Sequence, residues 1–122
     1  YSNIASPMRL LGKSKDEIDS AVRKAADLMQ LTPMLDRKPL ELSGGQQKFV
    51  AFARALMGGT KLLMLDEPSE GIAPVFAQRM VEIMSSLKAE GESVLVAESN
   101  DKHIKSLLDR AFVIERGSII SD

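Results

Sequence analysis

The most constraining feature of this chain is a short apolar run that ends directly in two carboxylates. Residues 62–65 read Leu-Leu-Met-Leu, with Lys61 before them and Asp66-Glu67-Pro68 after them. A continuous apolar run of this length, bounded by charged residues and proline, predicts a β-strand covered on both faces. The run is therefore interpreted as the central strand of a parallel sheet.

Two helices are predicted upstream of this strand. Apolar residues recur at helical spacing through residues 15–31, and a second helix over residues 44–57 is closed by Gly58-Gly59. Each begins with a capping box, in which a serine and a residue three positions later bond each other's backbone amides. The two boxes are Ser14 with Glu17 and Ser43 with Gln46.

Downstream of the strand, helices and strands alternate. Pro74 at a first-turn position predicts a helix over residues 74–90, and Gly91 ends it before a second apolar strand at 93–97. The remaining predicted elements are a short helix at 101–108 and two strands, 111–115 and 118–120, around the Arg116-Gly117 turn.

These elements place the chain in the α/β class. Two leading helices followed by alternating strands and helices predict a helical subdomain, residues 1–58, and a parallel-sheet half-domain, residues 59–122. A chain of 122 residues is long enough to bury a hydrophobic core. The methionines, among them Met29, Met64 and Met80, are assigned to packing rather than to a binding surface.

The segment Ser43-Gly44-Gly45 lies where the second predicted helix begins. Unpaired backbone amides and the positive end of the helix dipole point outward at such a place, and the glycines leave room for a phosphate. Short glycine motifs recur by chance, so this one taken alone is explained more simply as a capped helix start. The whole string from Leu42 to Gln46, with Asp66-Glu67 about twenty residues later, favours an anion site.

Asp66 and Glu67 are predicted at the carboxyl end of the central strand, the edge where α/β proteins bind ligands. Adjacent residues that leave a strand point in different directions. One carboxylate is therefore suited to Mg²⁺, held through water, and the other to an attacking water as a general base or positioner. An isolated acidic strand end is an ordinary surface feature, but Pro68 and the upstream motif favour the functional interpretation.

The bulk composition excludes several classes of function. The 16 basic and 17 acidic residues give a formal net charge of −1, so neither a nucleic-acid footprint nor a polybasic membrane anchor is predicted. The absence of cysteine rules out a disulfide or thiolate site and favours a reducing compartment, hence the cytoplasm. The longest apolar runs are too short to span a bilayer, so a membrane would matter only through a partner.

The string Leu42-Ser43-Gly44-Gly45-Gln46 and the later Leu65-Asp66-Glu67-Pro68 resemble the signature and Walker B motifs of ATP-binding-cassette (ABC) ATPases. The motifs arrive in the family's order, and the resemblance covers nearly the whole chain. It implies a helical subdomain followed by the Walker B half of a P-loop NTPase parallel sheet, which is a partial ABC cassette. It also implies ATP and Mg²⁺ as cofactors.

In that family the signature of one subunit closes over ATP bound by the other subunit. The resemblance implies contact with ATP held by a second ATPase subunit for Leu42, Ser43, Gly44, Gly45 and Gln46. Within one subunit, it implies that Asp66 serves Mg²⁺ and that Glu67 serves hydrolysis.

Two positions depart from the family's usual pattern. The switch position after the second strand, usually histidine, is Ser99, which can donate to a phosphate oxygen but cannot carry a proton as imidazole does. The D-loop, residues 69–74, has Ala73 where an aspartate is usual. Because Ser99 cannot carry a proton, slow or differently gated hydrolysis is expected. The single histidine, His103, is interpreted as a surface or capping residue rather than a displaced switch.

The triplet Gly12-Lys13-Ser14 has the ending of a Walker A phosphate loop without its context. A phosphate loop needs a glycine five residues before Gly12, where this chain has Pro7, and a buried strand ahead of it. We therefore expect no phosphate loop here. Without a Walker A lysine, the chain by itself is expected to be catalytically incomplete.

The subfamily clues disagree. Residues 65–74 and Ala97-Glu98-Ser99-Asn100 look like the ATPases of branched-chain amino acid and amide importers, whereas residues 1–39 look more like those of sugar-type importers. The leading interpretation is part of the ATP-hydrolysing subunit of an importer at the inner face of the membrane, with a second ATPase subunit and a permease as partners. Two alternatives stay open: a module that only docks on a permease, and a soluble ABC ATPase outside transport.

Overall fold

The computed structural model describes residues 1–121, and the first half of that range is helical. Its helices are α1 (Ser2–Leu10), α2 (Lys15–Leu28) and α3 (Gly44–Leu56). Two short 3₁₀ turns, Thr32–Met34 and Pro39–Glu41, connect α2 to α3. Both predicted capping boxes form, at the starts of α2 and α3.

Helix α1 was not predicted from the sequence, because it contains a proline. Pro7 has no N–H to donate to the carbonyl of Asn3, one turn earlier. The hydroxyl of Ser6 donates to that carbonyl instead, over 3.1 Å. Ile4 and Ala5 on the same helix are buried, so packing on the other helices stabilises a segment of weak intrinsic propensity.

The Gly12-Lys13-Ser14 triplet is the corner between α1 and α2. Gly12 has a left-handed backbone (φ 69°), and the N–H groups of Gly12 and Lys13 donate to the carbonyls of Arg9 and Met8 over 3.1 and 3.2 Å. This is a Schellman helix end, and Ser14 then caps the next helix. A helix, not a strand, precedes the triplet, in agreement with the expectation that it is not a phosphate loop.

Helix α2 ends at Leu28, before the predicted end at residue 31. It also closes in a Schellman motif, in which the N–H groups of Gln30 and Leu31 donate to the carbonyls of Asp27 and Ala26 over 3.0 and 2.7 Å. Gln30 occupies the left-handed position (φ 56°) that glycine usually takes. The boundary was mispredicted because no glycine signals it.

The predicted strand–helix–strand unit is present. It consists of β1 (Leu62–Asp66), α4 (Pro74–Ala89) and β2 (Ser93–Ala97), and the two strands are parallel neighbours. Their register pairs Leu62 with Ser93 and Asp66 with Ala97. Both strands therefore end at the same edge, and the residues that follow them meet there.

The prediction that β1 is covered on both faces was wrong for the part of the chain that the structure describes. Leu63 faces the core, whereas Leu62 and Met64 on the other face of β1 are 48% and 68% exposed. Leu95 on β2 is about half exposed as well. Alternation of this kind is typical of a sheet packed on one face. The assignment of Met64 to packing is wrong for the same reason, whereas Met29 and Met80 are buried.

The last predicted helix, 101–108, is instead two 3₁₀ turns, Asp101–His103 and Lys105–Leu107, with Ile104 buried between them. His103 is exposed, as expected. The strands β3 (Val113–Glu115) and β4 (Ser118–Ser121) form an antiparallel hairpin separate from the parallel pair. Positive φ angles at Arg116 and Gly117, 50° and 80°, produce the predicted tight turn.

One hydrophobic core joins the helices to the parallel pair. It contains residues of α1, α2, α3, β1 and α4, including Ile4, Val22, Phe49, Leu63 and Ile83. Phe49 and Phe76 pack edge to face with ring centroids 5.6 Å apart, and a guanidinium nitrogen of Arg79 donates to the carbonyl of Leu28 over 2.7 Å. The core spans the predicted boundary between residues 58 and 59, and it fixes the start of α3 relative to the ends of the strands.

Candidate functional site

Helix α3 begins at the glycine pair. The Gln46 N–H donates to Ser43 Oγ over 3.2 Å, and the Ser43 N–H donates to Gln46 Oε1 over 2.9 Å. The hydroxyl of Ser43 thus accepts the capping bond and keeps its own hydrogen available to donate. The amides of Gly44 and Gly45 have no intrahelical acceptor and lie at the positive end of the helix dipole, with Leu42 half-buried just ahead.

The two glycines have different surroundings. A methyl group added at Gly44 would meet nothing within 4 Å, whereas one added at Gly45 would lie 2.9 Å from a ring carbon of Phe76. Gly44 is exposed and Gly45 is buried. Gly44 therefore keeps the helix start open to a ligand, and Gly45 allows α3 to pack closely on α4.

Asp66 and Glu67 lie where β1 leaves the sheet. Asp66 is exposed, and its carboxylate makes no hydrogen bond or ion pair within residues 1–121. Glu67 has a left-handed backbone (φ 44°), a conformation that costs a residue other than glycine about 1–3 kcal/mol. Its N–H donates to the carbonyl of Ala97 over 2.8 Å, which extends the β1–β2 ladder into the turn.

The structure brings Glu67 and Ser99 together. The Ser99 N–H donates to Glu67 Oε1 over 3.0 Å, and Ser99 Oγ lies 3.3 Å from Glu67 Oε2. These two residues are thirty-two positions apart in the chain and meet because β1 and β2 are parallel neighbours. The carboxylate is thereby oriented at an exposed edge of the sheet.

A second contact between the same loops was missed by the sequence analysis. Glu98 Oε1 accepts hydrogen bonds from the N–H and Oγ of Ser69, over 2.9 and 2.7 Å. Only the register of β2 against β1 places these residues side by side. The sole signal in the sequence was their position after each apolar run, which gives no pairing.

Lys48 on α3 was missed as well. Its ammonium group donates to the carbonyl of Glu67 over 3.1 Å and to the carbonyl of Glu70. It lies one helical turn after Gly44, so α3 is joined directly to the loop that carries Glu67. Between α3 and β1 is an open cleft of about 230 Å³ that Lys48, Asp66 and Glu67 help to line.

The predicted site residues form two groups. Ser43, Gly44 and Gln46 lie at the start of α3, and Asp66, Glu67 and Ser99 lie at the sheet edge. Among the described contacts no hydrogen bond joins a residue of one group to a residue of the other. Lys48 on α3 connects them indirectly, through its bond to the carbonyl of Glu67. The first group can bind an anion through amides and a hydroxyl, and the second can hold a cation and orient a water.

The donor set suits a magnesium ion bound through a nucleotide. Mg²⁺ usually keeps several waters and takes one or two carboxylates together with phosphate oxygens. Asp66 offers one exposed carboxylate, and within residues 1–121 no three His, Asp or Glu side chains converge on one point. A metal held here would therefore take most of its ligands from water or phosphate.

The sequence model of one protein family, ABC transporter, matches residues 2–70, more than half of the chain. This chain belongs to the ABC transporter family. The matched range contains the start of α3 and both carboxylates at the end of β1. ABC ATPases bind ATP, and the family match includes both groups of candidate site residues up to Glu67.

Individual relatives agree with this assignment. The chain is 39% identical over 107 residues to the high-affinity branched-chain amino acid transport ATP-binding protein BraG of Pseudomonas aeruginosa, covering 87% of the chain and 46% of BraG. It is 38% identical over 121 residues to the alpha-glucoside transport ATP-binding protein AglK of Rhizobium meliloti, covering 98% of the chain and 33% of AglK.

The fold is that of an ABC ATPase cassette. MJ1267, an ATP-binding cassette of an ABC transporter, superposes with a TM-score of 0.82 and 34% identity over 92% of this chain and 46% of its own. The present chain thus spans about half or less of the length of the relatives that it matches. Among the described residues no helix is long and apolar enough to cross a membrane.

Proposed function

We propose that this chain is the signature and Walker B part of the ATP-hydrolysing subunit of an ABC importer. The observation that carries the proposal is the pairing of Glu67 with Ser99 at the edge shared by two parallel strands. That pairing holds the carboxylate at the edge of the sheet, where in the proposed site it would act on an attacking water. Exposed Asp66 beside it is free to serve Mg²⁺.

The two groups of residues would act on different nucleotides. Glu67 and Ser99 would act in cis, Glu67 as the general base or water-positioning group and Ser99 as the switch residue that donates to phosphate. The start of α3, with Ser43, Gly44 and Gln46, would contact ATP held by a second ATPase subunit. The exposure of Ser43 and Gly44 supports this assignment, since a partner must reach them from outside.

The proposed partners are a second ATPase subunit and a membrane permease, at the inner face of the membrane. Relatives whose names specify branched-chain amino acids and alpha-glucosides match at nearly the same identity. We therefore propose solute import without choosing between these solutes. The chain alone, which contains no Walker A loop among its described residues, would be inactive.

The proposal is tested in the intact protein that carries this segment. We expect Glu67→Gln to keep ATP binding and to lower the turnover number by about 100-fold or more, because an amide cannot accept the proton of the attacking water. Steady-state ATP hydrolysis and equilibrium binding of a fluorescent ATP analogue measure the two quantities.

A matched control is Glu70→Gln in the same loop. The side chain of Glu70 is exposed, and only its backbone takes part in the described contacts, so turnover should stay within about twofold of the native value. Native turnover in Glu67→Gln would show that this carboxylate is not the hydrolytic one.

A further inference from the structure

We propose that Glu98 is a positioning residue for hydrolysis, which holds Glu67 in place through Ser69. The inference rests on the function proposed above, because it assigns a role within the same site. Glu98 itself has no described contact with Glu67 or with the start of α3. It acts on the loop that carries Glu67.

The contact geometry is reciprocal. Each parallel strand is followed by a glutamate and a serine that pair with the serine and glutamate after the other strand: Glu67 accepts from Ser99, and Glu98 accepts from Ser69. In both pairs the carboxylate receives the backbone N–H and the hydroxyl of the serine. Because a backbone N–H takes part, each pair fixes the course of the main chain as well as a side chain.

The Glu98 pair is the shorter of the two. Its bonds of 2.9 and 2.7 Å are in the range of good charge-assisted hydrogen bonds, and both residues are half-buried. The Glu67 pair has bonds of 3.0 and 3.3 Å at an exposed serine. The tighter, less solvated contact is therefore the one better suited to restrain the loop.

The loop needs such a restraint because of the backbone at Glu67. A left-handed φ of 44° persists only where surrounding contacts hold it. The bond from Glu67 N–H to the carbonyl of Ala97 holds it from one side, Lys48 holds its carbonyl, and Ser69, two residues later, is held by Glu98. Removing Glu98 releases the downstream side of the turn.

Release of the turn should affect the chemical step rather than ATP binding. Glu67 would then spend less time oriented toward the water, and a displacement of about 1 Å in a catalytic group can lower a rate about 100-fold. We expect Glu98→Ala in the intact protein to lower kcat by about 10- to 100-fold while KM for ATP changes less than about threefold.

The deciding comparison uses the same chemical change at both glutamates. A glutamine at position 98 still offers an oxygen to the N–H and hydroxyl of Ser69, so Glu98→Gln should retain at least about a third of native kcat. Glu67→Gln should remove turnover, because Glu67 acts on the proton. Ser69→Ala, which keeps the backbone N–H and loses the hydroxyl, should fall between Glu98→Gln and Glu98→Ala.

The measurements are kcat and KM for ATP hydrolysis and the thermal unfolding midpoint of each variant. Native kcat in Glu98→Ala beside an inactive Glu67→Gln overturns the inference and leaves the proposed function standing. Equal inactivity of folded Glu98→Gln and Glu67→Gln also overturns it, since Glu98 would then act by its charge or proton. If Glu98→Ala does not fold, Glu98→Gln and Ser69→Ala decide: graded loss of kcat with constant KM supports positioning, and native kcat in Ser69→Ala contradicts it.

Discussion

At the scale of single residues, the adjacent glycines at the start of α3 serve different ends. Gly44 lies in open surroundings, and Gly45 lies against the ring of Phe76, which in turn packs on Phe49. A methyl group at position 45 would require the ring to move within the core. The glycine pair therefore combines the open helix start that the proposed function needs with a packing requirement, in two consecutive positions.

These surroundings predict opposite results for two conservative substitutions. Gly45→Ala should lower the free energy of unfolding by about 1–3 kcal/mol, since the added carbon overlaps Phe76. Gly44→Ala should leave it unchanged or raise it by up to about 1 kcal/mol, because alanine restricts the unfolded chain and meets no atom here. Denaturant unfolding of the 122-residue chain measures both.

The effect of these substitutions on activity should not follow their effect on stability. In the intact protein Gly44→Ala should reduce ATP hydrolysis despite its stable fold, because the methyl group stands where a phosphate would approach the amides. Equal stability of the two variants would refute the packing role given to Gly45. Full activity of Gly44→Ala would refute the open anion site.

The residues of the site were predictable to different degrees. Asp66 and Glu67 were proposed as site residues from their place at the end of an apolar strand, and Ser99 was proposed from the family's motif order. The contacts of Glu98 and Lys48 could not be predicted, because they depend on strand register and on a contact between a helix and a loop. Those are tertiary facts that neither periodicity nor spacing contains.

At the scale of elements, three helices end in the same way with different residues at the left-handed position. Gly12 ends α1 and Gly91 ends α4, each with a backbone pattern typical of a Schellman motif, whereas Gln30 fills that position after α2. Glycine adopts this conformation without strain, and glutamine does not. The α2 end thus holds strain that the other two ends avoid.

Relief of this strain should stabilise the chain. We expect Gln30→Gly to raise the free energy of unfolding by about 1 kcal/mol, since Gln30 is exposed and its side chain makes no described hydrogen bond. Thermal or denaturant unfolding of the two proteins gives the difference. Gln30→Ala is the matched control: it keeps a Cβ in the strained conformation and should give no gain. A gain of the same size in both variants would place its origin elsewhere.

The residue at the left-handed position after a helix also decided which helix ends could be predicted. The end of α4 was located because Gly91 signals it, and the end of α2 was not because glutamine gives no such signal. Helix α1 was missed because Pro7 lowers its intrinsic helix propensity. Tertiary packing of the buried Ile4 stabilises the helix nevertheless. Elements whose ends depend on nearby residues such as glycine could be predicted, and elements that depend on tertiary packing could not.

At the scale of the whole molecule, the parallel pair has one packed face and one open face. Leu63 enters the core on one side, and Met64 and Leu95 are largely exposed on the other. The apolar composition of the strands predicted that both faces of the sheet would be buried, but the described residues bury only one face. This contrast accords with a chain that spans about half of the MJ1267 cassette.

The chain as a whole should fail to bind ATP by itself. The proposed anion site at the start of α3 and the Asp66-Glu67 edge are separate groups, and Gly12-Lys13-Ser14 is a corner between two helices. Calorimetric titration of Mg-ATP into the 122-residue chain should therefore give no detectable heat of binding. The intact protein serves as the positive control. Micromolar binding by the isolated chain would contradict the proposal that it forms only part of a nucleotide site.

The reciprocal serine–glutamate pairs also have a mechanical consequence. Displacing β2 by one residue along β1 would move Glu98 and Ser99 by about 3.3 Å and turn their side chains to opposite faces. All four bonds would then be lost in a single event, because each spans no more than 3.3 Å at the start. The four bonds can therefore form only in the observed register of β1 and β2, so the two pairs specify the alignment of the strands as well as the course of the loops.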